Sequence, residues 1–268
     1  MDKMIDEKTL MQHSYKFLDI RQLEKDYLLT LLLYEIYNEF DDELIFKGGT
    51  SLKYFYNLNR FSEDLDFSYL SEEKSLNSIY VKMNRALKNV NLQYDIINTE
   101  HRGHKEGDTV VGINYELRIK GPLYNELNYM ENIDIDLSLR NDIILPPDIK
   151  YLTPPYPDIP MFPVPVMNLK EIISEKVASI IERDKMRDIY DLYFLIKFHN
   201  LQPDLKLINK KFDIRGSKFN STDFLDTVEN ALNSAKWKSE LSFLISPLPD
   251  SNEVAKIIND AFHTLRSP

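Results

Sequence analysis

The sequence predicts an α/β (α+β) fold, in which a small mixed sheet with helices is followed by a domain made of helices. Three observations predict it. Apolar and polar residues alternate in several segments before residue 145, as in half-buried strands. After Val166, apolar residues recur at helical spacing and no segment has a convincing strand pattern. Between these regions, eight of the 13 prolines lie from Pro146 to Pro165, a density that excludes a regular helix.

The first domain, residues 1–145, is predicted to combine helices with a sheet. Its helices are predicted within residues 1–45, with the broadest apolar face between Asp26 and Phe40, and at Thr50–Tyr56 and Ser75–Val90. Its strands are predicted at Phe61–Tyr69, Gln93–Ile97, Val110–Ile119 and Asn132–Leu139.

The remainder of the chain is predicted to contain a connector and a helical domain. Residues 146–165 are predicted to be an extended, proline-rich connector. The helices of the C-terminal domain, residues 166–268, are predicted at Leu169–Arg183, Asp188–Phe198, Ser221–Ala235, Ser239–Ile245 and Asn252–Leu265.

Composition narrows the function classes. The 268 residues carry a formal net charge of −10, which argues against tight non-specific binding to nucleic acid but leaves room for a local basic groove. The absence of cysteine excludes disulfides, thiolate metal sites and a cysteine nucleophile, and fits a cytoplasmic protein. The most apolar window, Tyr27 to Tyr37, is about half of the ~20 residues needed to cross a membrane. We therefore expect a cytoplasmic protein without a membrane partner.

The segment from Lys47 to Leu52, KGGTSL, is the first candidate binding motif. The chain has only seven glycines, and two of them, Gly48 and Gly49, are adjacent here. Adjacent glycines relax the steric limits on φ and let backbone amides approach a phosphate closely. The motif therefore predicts a phosphate-binding turn, followed by a helix whose N-terminus points at the phosphates.

Two aspartates follow at a spacing that suits a metal site. Asp64 and Asp66 flank Leu65, and residues two apart in a strand face the same side. Mg²⁺ prefers oxygen ligands and commonly binds one or two carboxylates together with substrate phosphates. An isolated pair of this kind also occurs in charged edge strands and turns. Together with the glycine motif, it predicts a site for a nucleoside triphosphate and a divalent metal.

These motifs resemble those of the polymerase-β-like nucleotidyltransferases, in which Gly-Gly-Ser/Thr precedes Asp-x-Asp. The longer pattern, KGGTSL followed by RFSEDLDF from Arg60 to Phe67, resembles more narrowly the AbiEii/AbiGii toxin family. The resemblance spans most of the chain, from about Leu23 onward. It implies a two-domain nucleotidyltransferase that transfers a nucleoside monophosphate and releases pyrophosphate.

The resemblance also implies a third metal-binding carboxylate. Asp134 and Asp136 both lie on one face of the predicted strand Asn132–Leu139. The sequence from Asp136 to Arg140 resembles the acid-apolar-serine ending of the family, which favours Asp136 and leaves Asp134 as the alternative. An amphipathic strand with two solvated acids is the structural alternative.

Several side chains near the glycine turn are candidates for binding the triphosphate. Thr50 and Ser51 could donate hydroxyl hydrogen bonds to it, alongside the amides from Gly49 onward. Lys47 could act on the phosphates electrostatically or pair with an acid in the core. Ser62 is either a further nucleotide contact or a turn cap.

The predicted helical domain supplies Lys176, Asp188 and Asp191. Lys176 lies in the middle of an apolar helix face, which is costly for an ammonium group unless it meets an anion or reaches the solvent-exposed rim. The resemblance implies that Lys176 contacts the triphosphate, and that Asp188 or Asp191, in a motif similar to Arg-Asp-x-x-Asp-Leu, is needed for activity. The structural alternative is a salt bridge between Arg187 and Asp191 that only supports the fold.

The resemblance implies partners as well. The expected cofactors are Mg²⁺ or Mn²⁺, with a nucleoside triphosphate as donor. The expected partners are an acceptor, for which the 3′ end of tRNA is one candidate, and a cognate antitoxin encoded nearby. The expected biology is a toxin that blocks growth or phage propagation. The rival interpretation is a nucleotide-binding regulatory module that does not catalyse transfer.

A basic segment in the C-terminal domain carries a separate prediction. Five cations occur close together, at Lys206, Lys210, Lys211, Arg215 and Lys218. The segment is predicted to be either a solvated surface or an RNA contact, with the solvated surface favoured.

Overall fold

The computed structural model of this chain describes residues 5–70, 75–183 and 185–263, apart from the side chains of Glu126 and Leu127. The chain divides into two compact units. The first unit comprises Met1–Tyr56, Ser62–Ile143 and Pro147–Val166, and the second comprises Asn57–Phe61, Ile144–Pro146 and Met167–Pro268.

The first unit is built around a mixed sheet. The described residues form seven strands, which are β1 Leu44–Lys47, β2 Leu65–Tyr69, β3 Ile96–Glu106, β4 Thr109–Ile119, β5 Glu131–Ser138, β6 Asp148–Leu152 and β7 Phe162–Val166. Their order is β3-β4-β5-β2-β1-β7-β6. The pairs β2–β5 and β1–β7 are parallel, and the other neighbours are antiparallel. This arrangement brings β2, which carries the Asp-x-Asp motif, between β1 and β5.

Helices of the first unit cover the sheet. They are α1 Glu7–Met11, a 3₁₀ turn at Ser14–Lys16, α2 Ile20–Phe40, α3 Gly48–Tyr56, α4 Leu76–Asn91 and α5 Tyr124–Leu127. The longest, α2, begins where Asp19 accepts a hydrogen bond from the backbone amide of Arg21. The predicted apolar face of α2 is completely buried, at Leu28, Leu29, Leu32, Leu33 and Ile36. The helix thus supplies much of this unit's core.

The proline-rich segment contributes two strands to the sheet, which the sequence analysis did not predict. β6 and β7 pair antiparallel at one edge, with Ile149 opposite Pro165 and Tyr151 opposite Pro163. Pro163 and Pro165 are two residues apart on β7, so the backbone N–H groups that they lack belong to the same side of the strand. The N–H groups on the other side are retained and can pair with the neighbouring strand. Proline density excluded a helix here but did not exclude a sheet edge.

The second unit is helical in its described residues. Its helices are α6 Leu169–Glu182, α7 Met186–His199, α8 Leu205–Ile214, α9 Ser221–Leu232, α10 Lys236–Leu241 and α11 Ser251–His263. The C-terminal end of the last predicted helix, Leu265, lies outside the described residues. No helix in the described part of the chain combines the length and apolar character needed to span a bilayer. The predicted fold class, a mixed sheet followed by helices, is confirmed.

The basic segment was interpreted wrongly at two of its five positions. Lys211 is completely buried in α8, and its Nζ lies 2.7 Å from Glu171 and 2.6 Å from Glu175. Arg215 lies 3.0 Å from Glu175 and 3.0 Å from Glu182. The charges of these two cations are therefore balanced by acids of α6 that are distant in the sequence. The resulting ion pairs hold α8 against α6.

Candidate active site

The glycine turn joins β1 to α3 and requires glycine for two reasons. Gly48 has a φ of +76°, a left-handed conformation that disfavours side chains. A Cβ at this position would lie 2.1 Å from Oδ2 of Asp66. The turn therefore packs its backbone directly against one carboxylate of the Asp-x-Asp motif, and the two predicted motifs meet in the structure.

Hydroxyl groups tie this turn to the beginning of β2. Thr50 Oγ1 lies 2.5 Å from the carbonyl oxygen of Asp64, to which it donates, and 2.9 Å from Ser62 Oγ. Ser51 Oγ donates to the carbonyl oxygen of Gly48 at 2.9 Å. All three hydroxyl residues are buried. In this arrangement they fix the positions of Gly48 and Asp64, and their predicted role in binding a triphosphate stays a prediction.

The strand pairing brings the predicted carboxylates together. Asp66 on β2 is the register partner of Asp136 on the parallel strand β5. Register partners on neighbouring strands project from the same face of a sheet. Asp134 precedes Asp136 by two on β5 and lies on the same face by strand alternation. Asp64 comes directly before β2, and its charge acts on Asp134. We call these four residues the carboxylate array.

The carboxylate array concentrates negative charge. Burial together with the charges of Asp64 and Asp136 raises the pKa of Asp134, and Glu116 on β4 raises it further. Lys25 opposes this effect, though its own Nζ is nearer to Glu63 and Glu131, at 3.8 and 3.9 Å. The array is thus a place where a bound cation would relieve repulsion between like charges.

The donor set fits a divalent cation by its chemistry. Carboxylate oxygens are the ligands that Mg²⁺ and Mn²⁺ accept, and neighbouring carboxylates add to the effect of burial in raising the pKa of Asp134. Among the described side chains, no three His, Asp or Glu stand grouped in a way that could hold a metal ion. The array therefore offers the right atoms and charge on one face of the sheet, without a closed coordination shell.

Lys47 pairs with an acid that the sequence analysis did not identify. Its Nζ lies 3.2 Å from Oδ2 of Asp142, which is buried and also accepts a hydrogen bond from Ser138 Oγ at 2.9 Å. This contact corresponds to the predicted alternative of an ion pair with a core acid. A direct role for Lys47 at the phosphates stays a prediction.

Lys176, Asp188 and Asp191 converge within the second unit. Lys176 on α6 is 5% exposed, and its Nζ lies 2.8 Å from Asp188 and 2.5 Å from Asp191, both on α7. Its ammonium group is thus buried between two carboxylates rather than placed at a solvent-exposed rim. The predicted functional set comes together, and its involvement with a nucleotide stays a prediction.

Arg60 completes this ionic cluster, which we define as Arg60, Lys176, Arg183, Asp188 and Asp191. The guanidinium of Arg60 binds both oxygens of Asp191, at 2.6 and 2.7 Å, and Arg183 Nε lies 3.0 Å from Asp188. Bidentate contacts of this kind are strong and directional. The three cations and two carboxylates leave one positive charge in excess.

The cluster stabilises its own charges. Burial disfavours the ionised form of Asp188, but Lys176 and Arg183 outweigh it and lower the pKa of Asp188 to about 2. Burial likewise disfavours the ammonium form of Lys176, but Asp188 and Asp191 outweigh it and raise its pKa. Asp188 and Lys176 are therefore both charged near neutral pH.

The sequence analysis missed Asn114, Asp142 and the partner of Arg60. Arg60 stood out in the RFSEDLDF pattern, but its contact with Asp191 joins residues 131 positions apart. Asn114 donates to Asp136 across a strand pair at 2.9 Å, and nothing in the sequence of either strand shows this register.

Comparisons with known proteins place this architecture among known folds. The chain is similar to JHP933 from Helicobacter pylori, with 20% identity over 92% of this chain and 93% of that chain and a TM-score of 0.57. It is similar to a putative nucleotidyltransferase from H. pylori, with 19% identity over 94% and 100% of the two chains and a TM-score of 0.53. MenT4, a nucleotidyltransferase toxin from Mycobacterium tuberculosis, gives 21% identity over 97% and 90% and a TM-score of 0.58. At such identities these likenesses establish a shared fold.

Sequence comparison establishes the family. No curated protein is significantly similar in sequence to this chain. A family model described as nucleotidyl transferase AbiEii toxin, type IV toxin–antitoxin system, matches residues 31–264, which include the glycine turn, the carboxylate array, Arg60 and the helices that carry the rest of the ionic cluster. The chain therefore belongs to the AbiEii family of nucleotidyltransferase toxins of type IV toxin–antitoxin systems.

Proposed function

We propose that this nucleotidyltransferase transfers a nucleoside monophosphate from a nucleoside triphosphate to an acceptor, releasing pyrophosphate, with Mg²⁺ or Mn²⁺ bound by Asp64, Asp66 and Asp136. One observation carries the proposal. Asp66 and Asp136 are register partners on parallel strands, and the backbone of Gly48 packs against Asp66. A glycine turn beside paired carboxylates suits a metal-bound triphosphate.

The bound metal would neutralise phosphate charge and promote attack on the α-phosphate. The chain's own residues would position the reactants. The turn from Gly48 to Ser51 would present its amides to the phosphates, and Thr50 and Ser62 would keep Asp64 in place through the contacts already described. Positioning and charge neutralisation supply most of the rate enhancement in phosphoryl-group transfer.

The ionic cluster of the second unit is proposed to support the same reaction. Its excess positive charge suits a phosphate group, and Lys176 lies between its two carboxylates. Asp188 and Asp191 would hold Lys176 ionised and oriented. We propose further that the acceptor is the 3′ end of tRNA, that the outcome in the cell is growth arrest, and that an antitoxin encoded nearby counteracts it.

Labelled triphosphates test the proposed function directly. Each triphosphate, labelled in the α-phosphate, is incubated with the protein, Mg²⁺ and a whole-cell extract, which is then separated into tRNA, protein and small-molecule fractions. We expect label in the tRNA fraction, and none when Asp66→Asn replaces the wild type. Label in the protein or small-molecule fraction instead would show that the acceptor is not tRNA. Tight triphosphate binding without transfer to any fraction would favour the non-catalytic module instead.

A further inference from the structure

The two candidate acids of β5, Asp136 and Asp134, have different register partners on the neighbouring strand β4. Asn114 is the register partner of Asp136, and its Nδ2 donates to Oδ1 of Asp136 at 2.9 Å. Glu116 is the register partner of Asp134. One acid therefore faces a neutral hydrogen-bond donor, and the other faces a second carboxylate on the same side of the sheet.

We infer that Asn114 is a positioning residue that orients Asp136, and that Asp136 rather than Asp134 therefore acts with Asp66 at the metal site. The inference rests on the proposed function, and it decides a choice that the sequence left open. Its basis is the contact between Asn114 and Asp136 and the contrasting neighbour of Asp134.

The hydrogen bond restricts the rotation of the Asp136 carboxylate. The terminal torsion of aspartate is broad, so a free carboxylate samples many orientations. A donor at Oδ1 selects a narrow range of them and leaves Oδ2 available. Partners that orient a metal-binding side chain in this way are commonly worth ~10- to 100-fold in metal affinity.

The chemistry of the amide also matters. A lysine or arginine at this position would orient Asp136 but would also cancel part of its negative charge. Asn114 is neutral, so it orients the carboxylate while the array keeps the charge that attracts a cation. Glu116 adds charge beside Asp134 but has no proton to donate, and it cannot orient that acid.

The strand β5 contains a suitable matched control for Asn114. Asn132 is also an asparagine on this face of the sheet, and it lies on β5 opposite Arg118 of β4. Asn132 is exposed, whereas Asn114 is half-buried beside Asp136. Replacing each asparagine by alanine removes a side-chain amide. In Asn114→Ala that amide is the donor to Asp136, and in Asn132→Ala it lies away from Asp136.

Manganese binding to the full chain tests the inference without an activity assay. Free Mn²⁺ is titrated by electron paramagnetic resonance against the wild type, Asn114→Ala, Asn132→Ala, Asp136→Asn and Asp134→Asn, with a melting curve for each protein. We expect Asn114→Ala to weaken Mn²⁺ binding ~10-fold and Asn132→Ala to leave it unchanged. Asp136→Asn should weaken it more than Asp134→Asn does.

A double variant separates positioning from a general structural effect. If Asn114 acts through Asp136, adding Asn114→Ala to Asp136→Asn has no further effect on Mn²⁺ affinity. Wild-type affinity in Asn114→Ala, equal losses in the two aspartate variants, or fully additive losses would each overturn the inference. Failure of the unmodified chain to bind Mn²⁺ would instead overturn the proposed function, and the inference with it.

Discussion

In the carboxylate array of the first unit, acids lie beside other acids, whereas in the ionic cluster of the second unit each carboxylate contacts cations. Burial, together with the charges of Asp64 and Asp136, raises the pKa of Asp134. The ionic cluster lowers the pKa of Asp188 to about 2 through Lys176 and Arg183, which outweigh burial. Like charges therefore gather in the carboxylate array, whereas opposite charges alternate in the ionic cluster.

The same chemical change should therefore act differently in the two places. Replacing aspartate by asparagine removes a charge but keeps the size of the side chain. In the array this change removes repulsion, and in the cluster it removes the partner of a buried cation.

The largest effect is expected on activity. Asp66→Asn should reduce transfer of labelled nucleotide by at least about 10³-fold, because the array loses a carboxylate at the position where charge on the phosphates must be neutralised. The measurement is the rate of pyrophosphate release with Mg²⁺ and a responsive extract. Asp108→Asn, an exposed change beside the β3–β4 turn, is the matched control. Near-wild-type rates in Asp66→Asn would remove the array from the reaction.

The second effect is on stability, which should be lost at Asp191 in the second unit but not at Asp66 in the first. Asp191→Asn should lower the free energy of unfolding by about 3–5 kcal/mol, because Arg60 and Lys176 lose a buried partner. Asp66→Asn should leave it unchanged or raise it when metal is removed with a chelator. Urea denaturation of both variants makes the comparison. Equal losses at the two sites would show that the array is as well compensated as the cluster.

The third effect isolates the contact between the glycine turn and Asp66. Gly107→Ala should cost about 1–2 kcal/mol for its left-handed conformation alone, since an added Cβ meets nothing within 4 Å. Gly48→Ala pays a similar conformational cost and also forces its Cβ against Asp66, which adds about 1–3 kcal/mol. Thermal unfolding of the two variants gives the difference. If both lose the same stability, Asp66 moves aside without cost.

The smallest effect is a dependence on pH. The folded pKa of Asp188 is about 2, below its ordinary value of 3.8, so its ionisation stabilises the folded state above pH 4. That contribution is lost as the pH falls through about 2. The stability gap between wild type and Asp188→Asn should therefore be constant from pH 5 to 8 and should narrow below pH 4. A gap that is independent of pH down to 2 would contradict this assignment.

Local pattern predicted those parts of the site that lie within single elements. Strand alternation placed Asp134 with Asp136 on β5, because side chains alternate across a strand whatever its neighbours are. The same argument for Asp64 and Asp66 assumed a longer strand, whereas β2 begins at Leu65. Glycine chemistry predicted the turn at Gly48, and helical spacing predicted that Lys176 meets an anion or reaches the rim. Each of these rests on residues within a few positions of one another.

The remaining features depend on which elements become neighbours. The contacts of Asn114 with Asp136 and of Arg60 with Asp191 follow from strand register and helix packing, which one sequence does not reveal. The proline-rich strands were missed because proline propensity is a local rule, whereas β6 lies at the edge of the sheet and β7 beside it. Lys211 was assigned to the surface because its acidic partners lie on another helix.

The sheet edge opposite β6 affects how copies of the chain can associate with one another. β3 runs for 11 residues as an outer strand, and most of its side chains are exposed. Such a border is a template on which a strand from another molecule could dock. This edge carries the exposed charged side chains of Arg102, Lys105 and Glu106. If two copies paired along β3, these side chains would lose their hydration, which is costly. These charged side chains therefore disfavour edge-to-edge polymerisation of the toxin. Apolar replacements there would promote fibre formation and leave the carboxylate array intact.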